Sequence, residues 1–131
     1  MKKRRRKKGH YHTGIYKSTK TGAEISYRSG WERSYCEWLD ANPDIKTYLY
    51  EGVVIAYVNN VRSRDLSKYF PDFLIEYIDG HKELIEIKPA RKVEQKKVQK
   101  KAEAAEQWCK DHGAVYKIIT ENDLKALGIK L

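Results

Sequence analysis

The feature that most constrains this chain is the stretch from Tyr69 to Pro89, YFPDFLIEYIDGHKELIEIKP, in which two short apolar runs flank Asp79-Gly80 in the pattern of two strands and a tight connection. Three charged residues sit where such strands are normally apolar. Asp72 opens the first run just after Pro71, and Glu86 and Lys88 alternate with Leu84, Ile85 and Ile87 in the second. Side chains on a strand alternate faces, so Glu86 and Lys88 share one, roughly 7 Å apart at the backbone. Asp72 joins that face only if the residue opposite it has an even number. A two-residue Asp79-Gly80 turn fails this test, because it opposes Asp72 with Ile87. A three-residue loop of Asp79-Gly80-His81 passes it, opposing Ile78 with Lys82, Leu74 with Glu86 and Asp72 with Lys88. Gly80 makes the left-handed or bulged position of such a loop cheap.

Two carboxylates and a lysine gathered at a sheet end repel and are costly to desolvate unless a divalent cation compensates them. An all-oxygen donor set suits magnesium, with manganese as a substitute. The plainer alternative is an ion pair of Glu86 and Lys88 on an exposed sheet face, with Asp72 a turn residue after Pro71. Against it, Leu84, Ile85 and Ile87 read as buried on both faces, as in a covered sheet.

The rest of the chain supplies elements around that pair. SGWERSYCEWLDANP from Ser29 predicts a short amphipathic helix, with Ser29 as its cap, Trp31, Tyr35, Trp38 and Leu39 on its apolar side, and Asn42-Pro43 as its stop. IKTYLYEG and VVIAYV read as two strands, and NNVRSRDLSK as a polar loop. From roughly Lys92 to His112, Val98, Ala102, Ala105 and Cys109 recur at helical spacing on a long Lys-rich helix that stops at Gly113. AVYKIIT predicts a strand, and Thr120 with Asp123 caps a last helix over Leu124 and Leu127. The expected order is α-β-β-β-β-α-β-α in one α/β domain, a central mixed sheet flanked by helices, spanning residues 25–131.

Composition sets limits on what this domain does. A chain of 131 residues, 40% hydrophobic and 34% charged, predicts a single water-soluble domain, and no apolar run is long enough for a membrane span. With no apolar leader after the basic start, the chain is expected to stay where it is made, in the cytoplasm. Cys36 and Cys109 lack ligand or disulfide spacing and read as buried free thiols, and none of the four histidines sits in a metal-binding pattern. The net charge is +9, and an unbroken basic run, Lys2, Lys3, Arg4, Arg5, Arg6, Lys7 and Lys8, carries most of it. Such a run repels itself, so residues 1–24 are expected to form a disordered basic arm and loosely docked lead-in that binds a polyanion through its phosphates. Arg28 is open between a phosphate and an acidic neighbour, while Tyr69 and Phe70 read as core or cleft wall.

Pro71-Asp72-Phe73 followed by Glu86-Ile87-Lys88 is similar to the PD-(D/E)xK nuclease signature, and YRSGWE from Tyr27 to Glu32 resembles the acidic helix start of its TnsA-like branch, which includes the phage head-completion nucleases. The likeness extends over LDANP, AEQWCKDHG and IITENDL, about Tyr16 to Leu127, and departs in a short Lys-rich segment after Lys88. It implies a restriction-endonuclease-like fold and metal-dependent hydrolysis of DNA phosphodiester bonds, with phage portal, capsid or packaging proteins as partners and association with the virion. It implies a magnesium site of Asp72, Glu86, the Ile87 carbonyl and Glu32, and catalysis by these side chains with Lys88. Read from the residues alone, Glu32 is equally the return partner of a Ser29-x-x-Glu32 capping box. Other readings are a junction resolvase acting as a homodimer, a transposase cleavage subunit, and a non-catalytic, capsid-associated DNA-binding protein.

Overall fold

In the computed structural model, which describes residues 13–60, 62 and 64–131, the two apolar runs form an antiparallel hairpin. Its strands are β6 (Phe73–Tyr77) and β7 (Lys82–Ile87). The loop has three residues, but they are Ile78, Asp79 and Gly80, so that Leu74 faces Leu84 and Phe73 faces Ile85. The expected pairing of Leu74 with Glu86 is thus corrected by two residues. The cause lies at Ile78, whose N–H donates to the Asp44 carbonyl at 2.9 Å and leaves the ladder, while Tyr77 N–H closes the loop on the His81 carbonyl at 2.9 Å. Gly80 takes φ +95°, open to glycine at little cost, and the Asp79 side chain accepts the His81 N–H at 3.0 Å. A slip of two preserves face parity, so Asp72 and Glu86 still share a face.

Among the described residues, six further strands and three α-helices surround this hairpin. They are β1 (Gly14–Lys17), β2 (Glu24–Tyr27), α1 (Gly30–Ala41), β3 (Ile45–Tyr50), β4 (Ile55–Asn60), β5 (Asp65–Tyr69), α2 (Lys96–His112), β8 (Val115–Ile119) and α3 (Glu121–Ala126). The central sheet has the order β3-β6-β7-β8, antiparallel except for the β7–β8 pair. A parallel pair needs a long crossover, and α2 supplies it. The fold is the expected single α/β domain with a mixed sheet between helices, with three more strands than expected.

Of those strands, β1 lies within the expected lead-in and β2 begins at its last residue, Glu24. β1 and β2 pair as a ribbon whose β1 end is clasped by Asp40 of α1: Tyr16 Oη donates to it at 2.6 Å, Ser18 Oγ at 2.7 Å and Thr19 N–H at 3.0 Å. Residues 13–24 are therefore structured, and the basic run Lys2–Lys8 lies outside the described residues. The third is β5, within the polar run read as a loop; it pairs with β4, and polar residues occupy it because only Tyr69 on it is fully buried. The long helix begins at Lys96 rather than near Lys92, because a 3-10 turn at Ala90–Lys92 intervenes after Pro89.

The sheet is covered on both faces. On one, Tyr35, Cys36 and Leu39 of α1 and Leu124 of α3 pack with Phe73, Ile75, Ile85 and Ile87. Phe73 is wholly buried between edge-on Tyr35, Tyr48 and Tyr50, a burial worth about 1.5–3 kcal/mol. On the other, Ala105 and Cys109 of α2 pack with Leu84 and with Ile55, Tyr57 and Tyr69 of the β4–β5 hairpin. Both cysteines are buried and free. α1 is capped by Ser29 and α3 by Thr120 with Asp123, and α2 stops at Gly113 with φ +68°, as the sequence predicts.

Candidate metal centre and its cleft

Asp72 precedes β6, and its main-chain carbonyl accepts the Glu51 N–H at 2.9 Å. Continuing the observed register places Asp72 directly opposite Glu86, on the face that carries Leu74 and Leu84. Asp72 Oδ2 accepts the Ile87 N–H at 2.7 Å, which pins the carboxylate across the end of the strand pair. Glu86 Oε1 accepts from Tyr69 Oη at 2.8 Å, and Tyr69 Oη is in turn 2.8 Å from Tyr116 Oη. Lys88 Nζ stands 3.6 Å from Glu86 Oε2. The two carboxylates are only 7% and 8% exposed.

Glu32 reaches the same place from the first turn of α1. Ser29 Oγ accepts the Glu32 N–H at 3.1 Å, but Glu32 Oε1 accepts from Arg28 N–H at 2.6 Å and from Tyr50 Oη at 2.8 Å. The return bond to the Ser29 amide that a capping box requires is replaced by one to the preceding residue, and the side chain points to the sheet end. Burial, with the charges of Glu86 and Glu32 adding to it, pushes Asp72 well above the usual carboxylate range, the Ile87 N–H only partly opposing. Burial also raises Glu86, against Lys88, Tyr69 and Lys101, which favour its charged form. Clustered carboxylates held at this cost are a feature of functional sites.

These residues floor a cleft of about 460 Å³. Among the described residues no three His, Cys, Asp or Glu are drawn together tightly enough to form a complete cation cage. The donor set is hard oxygen, and its like charges are what a cation relieves.

The predicted residues divide clearly by position. Glu32, Asp72, Glu86, Ile87 and Lys88 all line the one cleft. Arg28 lines its rim and pairs with Glu51 at 3.4 Å. Several cleft residues were not singled out by the sequence. Glu51 has φ +51°, a left-handed conformation that is strained for a side-chain residue, and burial raises its pKa. Lys92 enters from the 3-10 turn and Lys101 from α2, its ammonium 5.3 Å from the centre of the Tyr69 ring. Lys101 adjoins the Val98/Ala102/Ala105 stripe, and that neighbourhood is the one signal that could have marked it. Tyr50 and Tyr116 carry no local signal, since their partners come from other elements.

A mixed sheet with acidic residues and a lysine gathered at the end of a strand pair defines a nuclease of the PD-(D/E)xK class. Residues 42–121 match the family described as "TnsA-like endonuclease N terminal", more than half of the chain, and the chain belongs to that family. The match contains Asp72, Glu86 and Lys88 and begins after Glu32. The chain is also similar to the "Head completion nuclease" of Enterobacteria phage T4, 31% identical over an alignment 129 residues long that covers 82% of this chain and 85% of that protein. At the family level the function is that of a TnsA-like nuclease related to the head-completion enzyme, and the PD-(D/E)xK class implies divalent-metal catalysis. No described helix is long and apolar enough to cross a membrane.

Proposed function

We propose that this chain is a magnesium-dependent DNA endonuclease that processes DNA ends during phage head completion, working in the host cytoplasm and with portal, capsid or packaging proteins. The observation that carries the catalytic reading is the opposition of buried Asp72 and Glu86 across one strand pair, with Lys88 3.6 Å from Glu86. The similarity to a head-completion nuclease supports the biological setting. Asp72, Glu86 and the Ile87 carbonyl would hold the metal, with Glu32 completing the acidic side. A divalent metal held there would supply Lewis-acid stabilisation of the negative charge that develops on the phosphate and would lower the pKa of a bound water. Tyr69 and the Ile87 amide hold the two carboxylates in orientation, which fixes the site before substrate arrives. Lys88 would orient the attacking water or help to deprotonate it.

Linear, nicked, single-stranded and four-way DNA, incubated with magnesium, with manganese and with chelator, test the activity and the structure it prefers. Cleavage is expected with either metal and not with chelator. Asp72→Ala and Lys88→Ala are each expected to lose cleavage by about 100-fold or more while keeping the fold by circular dichroism and most DNA affinity. Magnesium-dependent cleavage persisting in both purified variants would reject the assignment.

A further inference from the structure

The β4–β5 hairpin has two unlike faces. Ile55, Tyr57 and Tyr69 point inward and are buried against α2, and Lys100 Nζ donates to the Asn59 carbonyl at 3.3 Å. The register opposes Val58 with Leu66 and Ala56 with Lys68, and all four point the other way and are exposed. Val54 and Phe70, just past the strand ends on the same face, are exposed too. Leu66 is 70% exposed and Val58 43%. The outer side of an ordinary hairpin is polar, so a continuous apolar stripe here marks a contact surface.

We propose that this outer face is a DNA-docking surface that extends the cleft, with Lys68 on a backbone phosphate and Val58 and Leu66 packed on deoxyribose and base edges in a groove. The proposal rests on the nuclease reading and adds to it how the duplex is held. Three features favour DNA over a protein. The stripe runs into the site: Lys68 and Phe70 line the same cleft as Asp72 and Glu86. Its charge is cationic, with Lys68 on the stripe and Arg62 and Arg64 exposed at the tip, against Asp65 as the one carboxylate between Ile55 and Tyr69. A two-stranded ribbon also has the width of a DNA groove, and aliphatic wedges on such elements partly unstack a base step.

The test uses the full chain with Val58→Ser and Leu66→Ser together, beside Lys68→Ala. Both outward side chains leave the core untouched, and thermal melting checks this. Duplex affinity is measured by fluorescence anisotropy in chelator at several salt concentrations, followed by single-turnover cleavage at saturating DNA with magnesium. The double variant is expected to lose affinity by about tenfold with an unchanged salt slope, because apolar contacts release no counterions. Its cleavage at saturation should stay within about twofold of the parent, the loss being in ground-state binding. Lys68→Ala should reduce the slope by about 1. A double variant that binds duplex as well as the parent overturns the proposal, and if sedimentation then shows a parent dimer that the variant lacks, the stripe joins two copies of the chain. A parent chain that neither binds nor cuts any DNA fails the nuclease reading itself, and the docking surface with it.

Discussion

At Asp72, burial and the charges of Glu86 and Glu32 act in the same direction, each favouring the protonated acid. The folded-state pKa is therefore above the unfolded one, and between the two the native state binds more protons. Stability contributed by this group is present at low pH and lost as pH rises through the raised value. Asp72→Asn keeps an acceptor for the Ile87 N–H and removes the charge. In chelator at neutral pH it is expected to be more stable than the parent by on the order of 1 kcal/mol, a rise of about 3–5 °C in Tm, with the gap closing on acidification. Urea unfolding of both proteins across the acid range checks this, and a variant less stable than the parent at neutral pH would contradict the like-charge account. The same substitution removes a proposed metal ligand, so stability and cleavage should move in opposite directions, as at sites where strain serves chemistry.

Among the elements, the ribbon of β1 and β2 depends on Asp40 near the end of α1. This carboxylate accepts from Tyr16, Ser18 and Thr19 on the ribbon side and from Tyr48 of β3 at 2.9 Å. Burial alone would raise its pKa, but the hydroxyl and amide donors outweigh it and hold the group below its usual value. The sign is opposite to that at Asp72: the stabilisation is present above the ordinary carboxylate pKa and is lost as pH falls through the depressed one. Asp40→Ala strands these donors and is expected to cost about 2–3 kcal/mol, with the first loss of protection in hydrogen exchange at β1. Asp40→Asn should cost less and should flatten the fall in stability as pH drops below the ordinary aspartate pKa of about 4. An Asp40→Ala protein with unchanged urea midpoint would show that the ribbon is held by Ile25 and Tyr27 packing instead.

Over the whole molecule, the net charge of +9 is concentrated in Lys2–Lys8, outside the described residues, while the cleft carries its own lysines at Lys68, Lys88, Lys92 and Lys101. Affinity and chemistry should therefore separate. Deleting Met1–Lys8 is expected to weaken DNA binding and reduce the salt slope by less than about 6, the value for seven phosphates engaged at once. Single-turnover cleavage at saturating DNA should be nearly unchanged, because phosphate contacts position a duplex without touching the proposed metal ligands. Titrations of full-length and shortened chains at several salt concentrations check both halves. An unchanged slope would assign the charge to a capsid or portal protein instead of DNA.

By itself the sequence determined the class of fold, the caps of α1 and α3, the stop of α2 at Gly113 and the face shared by Glu86 and Lys88, because each follows from periodicity or from one or two adjacent residues, while Asp72 joins that face through a loop of odd length. Parity survived even where register did not: a strand repeats every two residues, so a slip of two moves every partner and no face. Only the tertiary structure decided that register, since the Asp44 carbonyl that draws Ile78 out of the ladder comes from another element. It also decided that Glu32 leaves its own helix cap for Arg28 N–H and Tyr50, and that Tyr69, Lys92 and Lys101 meet the carboxylates. β1 and β5 were illegible for a related reason. Short polar strands carry little pattern of their own, and what holds these two is the clasp of Asp40 on one and the backbone of β4 on the other, partners that distance along the chain conceals.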